Sequence, residues 1–259
     1  MKSNIQLKYS NYVAFSHFHG YAVNNPGKII KTTVKKFLEP ENLFQIGSSR
    51  SWLDDQGYYM ILVEFASSGY SKGASLNAGV SFLWESTESL NEMLSYDYEC
   101  QVITSYVEYK NDDEAFQNGI EKLAKKALEK VDEYRKFSDM DYAKSCLQEQ
   151  VDKLPEYRRF WELYNLAMLC FLKGDFEEGK DVFEHYMQIL KDSFYSGDCY
   201  IEWHEQFYNY CIENIQCHLS SKESAQQMVV DMINRRRKYF YEKPSYKKMS
   251  KEPYLICDE

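Results

Sequence analysis

The sequence predicts an α+β fold, in which a small antiparallel β-sheet and one early helix precede a helical C-terminal half. Before residue 111, apolar and polar residues alternate in several segments, as they do in half-buried strands. From Asn111 onward the apolar residues recur about every 3.6 residues, which is typical of amphipathic helices. The chain has only 11 Gly and 5 Pro, and this favours long regular elements. We predict a β-rich domain over residues 1–111 and a helical domain with a basic C-terminal tail over residues 112–259. We expect them to pack together, because no linker rich in Gly, Ser or Pro separates them.

The first elements are a strand and a helix. Residues 12–19 alternate enough to predict a strand. After the turn signal Asn24-Asn25-Pro26-Gly27, residues Lys28–Leu38 predict an amphipathic helix with its lysines on the polar side. Pro40 ends this helix because proline cannot continue the backbone hydrogen-bond ladder.

The predicted sheet follows the early helix. Its best strand is Ser75–Trp84, where apolar residues at even positions face one way and mostly polar residues face the other. This pattern predicts a sheet with one covered face and one wetter face. The other predicted strands are Phe44–Leu53, Tyr58–Phe65 and Tyr98–Tyr109, and a short helix is predicted over 86–94.

The helical half begins with the clearest helix in the chain. Asn111 or Asp112 is suited to cap a helix whose apolar stripe runs from Phe116 to Tyr134. Further helices are predicted over 139–152, 156–173, 176–191, 198–219 and 221–242.

Two parts of the chain resemble known families. The order of elements from Lys28 to Trp84, with Arg50-Ser51-Trp52 in one strand and Leu76-Asn77-Ala78-Gly79-Val80 in another, resembles the bacterial family called domain of unknown function four-three-zero-four. The chain departs from that family at Leu43-Phe44-Gln45-Ile46-Gly47, where a Gly-Phe-Lys-Lys segment is expected. The resemblance implies a strand pairing followed by helices, and an association with immunity proteins that neutralise toxins. It implies no catalytic residues.

The second resemblance is to one tetratricopeptide-type helix pair, and it covers residues 163–183. The small residues Ala167 and Gly179 would let two helices approach closely, and Gly174-Asp175 would form the turn between them. No second copy is visible at the period of about 34 residues that such repeats have, and a stack generally needs three or more. The sequence therefore predicts one helical hairpin, and a repeat-type peptide groove stays an open alternative.

The charge and the cysteine content of the chain indicate its cellular compartment and the kind of partner that it binds. The formal net charge of −9 should repel nucleic acid and attract a basic partner. The 23 Tyr residues suit half-buried helix faces and partner surfaces alike. We expect no signal peptide or membrane span, since no long apolar run occurs. The 7 Cys are scattered and never spaced as CxxC, which indicates reduced thiols in the cytoplasm.

Metal binding is the first chemistry that the sequence could support. His17 and His19 would lie on one face of a strand, but no third ligand lies nearby in sequence. His204, Cys211 and His218 recur every seven residues and share roughly one helix face. Apolar neighbours on that face favour a core position. We predict no metal site and no cofactor.

Other catalytic patterns are incomplete. No GxSxG elbow occurs, and Gly69–Gly73 lacks the order of a phosphate-binding loop and reads as a loop between two strands. Cys146, Cys170 and Cys211 fall at apolar helical positions. The paired acids are in turns or at helix starts, where capping and the helix dipole favour them; they are Asp54-Asp55, Asp112-Asp113-Glu114 and Glu177-Glu178. We predict no catalytic residue.

The segment from Arg235 to Lys251 is the one strongly basic part of the chain. Its lysines and arginines are interleaved with aromatic residues, a pattern that could hold nucleic acid, bind a protein partner or pack on the chain's own acidic helices. We favour self-packing.

The favoured function is a non-enzymatic protein-binding or immunity-type protein whose partner is another protein, a basic protein being one option. One alternative is an enzyme whose site is assembled from His17, His19, His204 and dispersed acids. The other is nucleic-acid binding through residues 235–251.

Overall fold

The protein is described from a computed structural model, which covers residues 25–68, 71–84, 96–102, 106–155, 159–196 and 199–256. The predicted α+β fold is confirmed: an early helix and a small antiparallel sheet precede a mostly helical C-terminal half. The strand predicted over 12–19 and the helix predicted over 86–94 lie outside the described residues.

The early helix, α1, spans Pro26–Leu38. The side chain of Asn25 caps it by accepting a hydrogen bond from the backbone N–H of Gly27 at 2.9 Å, and proline at the first helical position needs no partner for its nitrogen. Ile30, Val34 and Leu38 are buried on one side. The prediction of this helix is confirmed, and a short 3-10 turn, Glu39–Glu41, follows it.

Among the described residues the sheet has six strands, which are β1 Phe44–Gln45, β2 Ser51–Asp55, β3 Tyr59–Ala66, β4 Gly73–Phe82, β5 Tyr98–Val102 and β6 Val107–Glu108. Five of them form an antiparallel meander in the order β1-β2-β3-β4-β5. The sixth, β6, pairs with the start of β4.

The single strand predicted over Phe44–Leu53 is wrong, since two strands occupy that region. The chain turns between β1 and β2 at Gly47, whose φ of 53° lies in the left-handed region that favours glycine. β1 then pairs with β2 in antiparallel register.

One face of the sheet is covered as predicted. Ile61, Val63 and Phe65 lie on this face opposite Val80, Ala78 and Leu76 of β4. Helix α2, Asp113–Arg135, packs across them, and the Tyr59 hydroxyl donates a hydrogen bond to the Tyr134 carbonyl at 3.0 Å.

The opposite face is wetter, as the alternation predicts, only at one end, where Glu64, Ser75 and Asn77 are half-buried; its other end is covered. Met60 of β3 and Ser81 of β4 are both fully buried. The reason is visible in β3, where Met60-Ile61-Leu62-Val63 is a continuous apolar run. Such a run is typical of a strand covered on both faces.

The α-helices described after α2 are α3 Met140–Lys153, α4 Phe160–Lys173, α5 Phe176–Asp192, α6 Glu202–Asn214 and α7 Lys222–Tyr241. The helical half is built around α4, whose residues Leu163 to Leu172 are all buried. Helices α3, α5 and α7 pack around it.

The predicted hairpin of α4 and α5 is confirmed. Gly174 adopts a φ of 88° and closes α4 by donating its N–H to the Cys170 carbonyl at 3.0 Å. A Cβ at Gly179 would stand 2.7 Å from the ring of Phe171. Glycine at this position therefore permits the close approach of the two helices.

The single helix predicted over 198–219 is wrong at both ends. A two-stranded hairpin, formed by β7 Tyr195–Ser196 and β8 Cys199–Tyr200, precedes α6. At its other end α6 stops at Asn214, because Ile215 departs from helical geometry at φ −118° and ψ −56° and a 3-10 turn follows. Apolar residues recur about every 3.6 residues along the whole segment, so the sequence pattern indicates neither the hairpin nor the end of α6.

Candidate functional site

The exposed large hydrophobic side chains are unevenly distributed over the described residues. Three of them, Tyr195, Tyr200 and Trp203, lie on the β7–β8 hairpin and the start of α6, and they are 64%, 46% and 46% exposed. Glu202 and Glu205 stand in the same first turn of α6. We call these five residues the hairpin surface.

The hairpin presents its two tyrosines side by side. Tyr195 and Tyr200 are directly opposite in the strand register, and their ring centroids are 5.5 Å apart. The N–H of Ile201 donates to the Phe194 carbonyl at 2.7 Å and extends the ladder beyond the strands. The turn from strand to helix therefore fixes where Trp203 emerges.

Trp203 rests on a base of packed rings. Its ring lies 3.9 Å from the imidazole of His204, edge to face, and 5.8 Å from the ring of Phe160. The indole of Trp161 lies parallel to it at 6.3 Å. These packed neighbours hold the indole in place, and 46% of Trp203 remains exposed to solvent.

His204 has a structural environment. Its Nδ1 lies 2.7 Å from both the hydroxyl and the carbonyl oxygen of Ser193. Its ring also stacks on Phe160. His204 therefore joins the end of α5 to α6 and supports the hairpin surface from below.

The stripe of His204, Cys211 and His218 does not form a ligand set. Cys211 is fully buried beside Tyr186, whereas His218 is exposed in the 3-10 turn after α6. In the part of the chain that the structure describes, no group of three or more His, Cys, Asp or Glu side chains could hold a metal ion. His17 and His19 lie outside the described residues.

The two carboxylates of the hairpin surface hydrogen-bond to neutral groups. The Tyr200 hydroxyl donates to Glu205, and this bond to a nearby anion raises the pKa of Tyr200 to about 12. The Gln206 amide donates to Glu202 at 2.9 Å. Acids at a helix N-terminus are favoured by the helix dipole, but this explains only the glutamates and leaves the exposed rings unexplained.

The paired acids Asp54 and Asp55 are committed to internal ion pairs. Arg135 donates through Nε to Asp54 at 2.8 Å. Arg237 holds Asp55 with both terminal nitrogens, at 2.6 and 2.9 Å. A cleft of about 650 Å³ opens beside them, but these ion pairs already satisfy the carboxylates of Asp54 and Asp55.

The other paired acids begin helices, as predicted. Asp112 caps α2 by accepting from the N–H of Ala115 at 3.0 Å, and Asp113 accepts from the Tyr109 hydroxyl at 2.7 Å. Glu178, in the first turn of α5, accepts from Lys144 at 2.6 Å. Capping and helix pairing account for these acids.

Of the loop Gly69–Gly73, residues 69 and 70 lie outside the described residues. Gly73 begins β4, and a Cβ on it would meet the Val107 carbonyl and the Tyr106 ring. Close pairing with β6 therefore accounts for this glycine.

The four cysteines whose side chains the structure describes differ in burial and are all free thiols. Cys146, Cys170, Cys211 and Cys217 are free. Burial raises the pKa of the Cys170 and Cys211 thiols to about 12. Because the thiolate is the nucleophile, these two side chains are packing groups rather than reactive ones.

The basic segment 235–251 uses its two buried arginines internally. Arg236 and Arg237 are each 4% exposed, and Arg237 also donates to the Gly57 carbonyl at 2.8 Å. The side chain of Asn234 holds the backbone of Tyr254 by two hydrogen bonds, at 2.7 and 3.1 Å. The segment packs against the β2–β3 turn at Gly57 and the β1–β2 turn at Gly47, while several of its lysines remain exposed.

Comparisons with known proteins do not identify a function for the hairpin surface. Among the described residues, no helix has both the length and the apolar content needed to cross a membrane. No family model, no curated protein and no solved structure matches the chain. The resemblance to domain of unknown function four-three-zero-four stays a prediction.

Sequence reasoning missed the hairpin surface because it assigned residues 198–219 to one helix. The aromatic excess indicated partner surfaces in general but named none of these residues. The signal that could have found them is Ser196-Gly197-Asp198, a turn sequence between two tyrosines. Tyrosine favours strands, and two tyrosines on either side of a turn are typical of a short hairpin.

Proposed function

We propose that this chain is a non-enzymatic protein-binding protein of the bacterial immunity type, which contacts its partner through the hairpin surface. The observation that carries the proposal is the cluster of exposed rings at Tyr195, Tyr200 and Trp203. Tryptophan and tyrosine are the residues that most often dominate binding energy at protein interfaces. The immunity role comes from the resemblance of residues 28–84 to its family.

The arrangement of the rings supports recognition of a protein. Large exposed apolar groups are unfavourable in water, and a cluster of them marks an interaction site more often than isolated ones do. Trp203 is held by packed neighbours before any partner arrives. Such preorganisation lowers the entropy lost on binding.

We also propose a cytoplasmic location. The four free thiols, two of them deeply buried, support a reducing compartment.

The test compares two triple variants with the intact chain in co-purification from the native host. One carries Tyr195→Ser, Tyr200→Ser and Trp203→Ser. The control carries Tyr142→Ser, Ile212→Ser and Leu255→Ser, which removes the other three exposed large hydrophobic side chains of the described part. We expect the intact chain and the control to retain the same partner and the hairpin variant to lose it.

Equal retention by all three proteins would show that the hairpin surface is not the binding site. The immunity role is tested separately, by deleting the gene and challenging the cells with the captured partner. If no partner is captured and the deleted strain is equally resistant, the proposed function is wrong.

A further inference from the structure

We infer that the hairpin surface receives a cationic segment, an arginine- or lysine-bearing loop or peptide of the partner. This inference rests on the proposed function and specifies the chemistry of that partner. It follows from the rings, the carboxylates and the charge of the whole chain taken together.

The rings offer open faces to a cation. A ring face carries partial negative charge, and it attracts ammonium and guanidinium groups, with tryptophan the strongest of the three aromatic residues. Tyr195 is 64% exposed and Trp203 46% exposed. Because His204, Phe160 and Trp161 pack against the indole, its exposed part is fixed in place.

The carboxylates stand where they would complete such a site. Glu202 and Glu205 flank Trp203 in the sequence and share its helical turn. Each accepts one side-chain hydrogen bond, from Gln206 and Tyr200 respectively. An ionised carboxylate has about four acceptor positions, so each keeps capacity for an ammonium or guanidinium donor.

Neighbouring charges leave this region negative. Asp192 precedes the hairpin and accepts from Gln188 at 2.8 Å. The adjoining segments also contribute two basic side chains, Lys191 and Arg159, and Arg159 donates through Nε to the Leu154 carbonyl at 2.6 Å. The chain as a whole carries a formal net charge of −9, which adds long-range attraction for a cation.

Charge also argues against a second copy of this chain as the occupant. A two-fold contact brings the same patch of both copies together. Glu202 and Glu205 would then face their own counterparts, and like charges across an interface are costly. A basic partner removes that repulsion.

The first test needs no partner. Of the four tryptophans, Trp52 and Trp84 are 1% and 0% exposed and Trp161 is half-buried, so collisional quenchers in solution act on Trp203 and less on Trp161. The difference between the intact chain and the Trp203→Phe variant gives the contribution of Trp203. Caesium and iodide quenching are each measured relative to N-acetyltryptophanamide. We expect relative quenching by caesium to exceed that by iodide by about twofold or more, because a negative potential gathers cations.

The second test uses defined probes, a tetra-arginine amide and a tetra-glutamate peptide, titrated by fluorescence. We expect the tetra-arginine probe to bind and the tetra-glutamate probe not to bind. Glu202→Gln with Glu205→Gln should weaken binding about fivefold. The control Glu184→Gln with Glu213→Gln removes the same charge from exposed positions outside the hairpin surface and should change binding little.

Each contrary outcome has a distinct meaning. Iodide quenching equal to or above caesium quenching, or equal binding by both charge variants, overturns the cationic inference. If the triple aromatic variant loses the native partner while the double glutamine variant keeps it at full affinity, the proposed function stands and the inference fails. A dimer that Trp203→Ser dissociates would identify a second copy as the occupant and overturn the inference.

Discussion

Two regions of the molecule use the same kinds of residue in opposite ways. One is the hairpin surface, and the other is the junction between the sheet and the helices, which consists of Asp54, Asp55, Trp84, Asn165 and Arg237. At the junction, Trp84 is fully buried and donates its indole N–H to the Asn165 side chain at 2.9 Å. On the hairpin surface, Trp203 is 46% exposed. Packing and hydrogen bonding account for the first tryptophan, whereas the second packs on supporting rings and keeps nearly half of its surface in solvent.

The carboxylates show the same contrast. Asp55 at the junction is held by both terminal nitrogens of Arg237, whereas Glu205 accepts a hydrogen bond from a tyrosine hydroxyl. An internal ion pair leaves little for a partner to bind. A carboxylate that accepts a hydrogen bond from a neutral group keeps its negative charge available to a partner. We therefore assign a stabilising role to the junction and a recognition role to the hairpin surface.

The largest expected effect tests that assignment with two tryptophans. Trp84→Ala should lower the free energy of unfolding by about 4 kcal/mol, because it leaves a cavity among Phe82 and Tyr58 and removes the donor to Asn165. Trp203→Ala should cost about 1 kcal/mol or less, because half of that side chain is already in water. Urea unfolding monitored by far-ultraviolet circular dichroism measures both.

Equal losses in the two variants would contradict the comparison, since Trp203 would then be a structural residue. A loss of stability in Trp203→Ala but not in Trp84→Ala would likewise show that Trp203 serves the fold rather than a partner.

The second effect concerns the ion pair that joins α7 to β2. Arg237→Met should lower the free energy of unfolding by about 3 kcal/mol, since it leaves the Asp55 carboxylate poorly compensated in a largely buried position. Lys238→Met, at the exposed neighbouring position, should change it by about 0.5 kcal/mol or less. Thermal and urea unfolding of both variants, side by side, provide the measurement.

A small loss of stability in Arg237→Met would mean that the Asp55 carboxylate does not need the Arg237 guanidinium as a partner. The basic segment would then be as available to partners as the hairpin surface, and the contrast between the two regions would weaken.

The predictable parts of this chain are those governed by local patterns. The 3.6-residue period with Asp112 as a cap predicted α2, and Gly174-Asp175 predicted the turn between α4 and α5; the structure confirms both. The two strands around Gly47 and the hairpin before α6 were not predicted. In both places a strand of two residues is set by pairing with the next strand along the chain, and two residues leave almost no periodicity in the sequence.

The candidate site was less predictable for a related reason. A tyrosine at a helical position and a tyrosine on an exposed hairpin have the same sequence signal, since the ring suits both environments. Exposure depends on which elements cover the residue, and that is decided by contacts such as those of α4 with α6. Tertiary packing, rather than composition, separates Tyr195 from the buried Tyr164.

The smallest expected effect concerns Glu162, which lies between the two regions. It follows Trp161, which supports the hairpin surface, and precedes the buried Tyr164 and Asn165 of the junction. Desolvation by burial raises the pKa of its carboxyl above the usual 4.5. A carboxyl whose pKa is higher in the folded state releases its proton first in the unfolded state. The protonated Glu162 carboxyl therefore makes its whole contribution to the free energy of unfolding below pH 4.5. This contribution is lost as the pH rises through the folded-state pKa of Glu162.

Glu162→Gln should accordingly raise the free energy of unfolding at pH 7, and its advantage over the intact chain should shrink towards zero as the pH falls to 4.5 and below. Glu177→Gln, at an exposed position in the first turn of α5, should give no such gain. Urea unfolding of the three proteins at pH 4, 5.5 and 7 makes the comparison. An advantage independent of pH would assign the gain to better packing of the amide. A loss at pH 7 would show that the Glu162 carboxylate forms a favourable contact in its charged form, and its position would then belong with the paired acids of the junction.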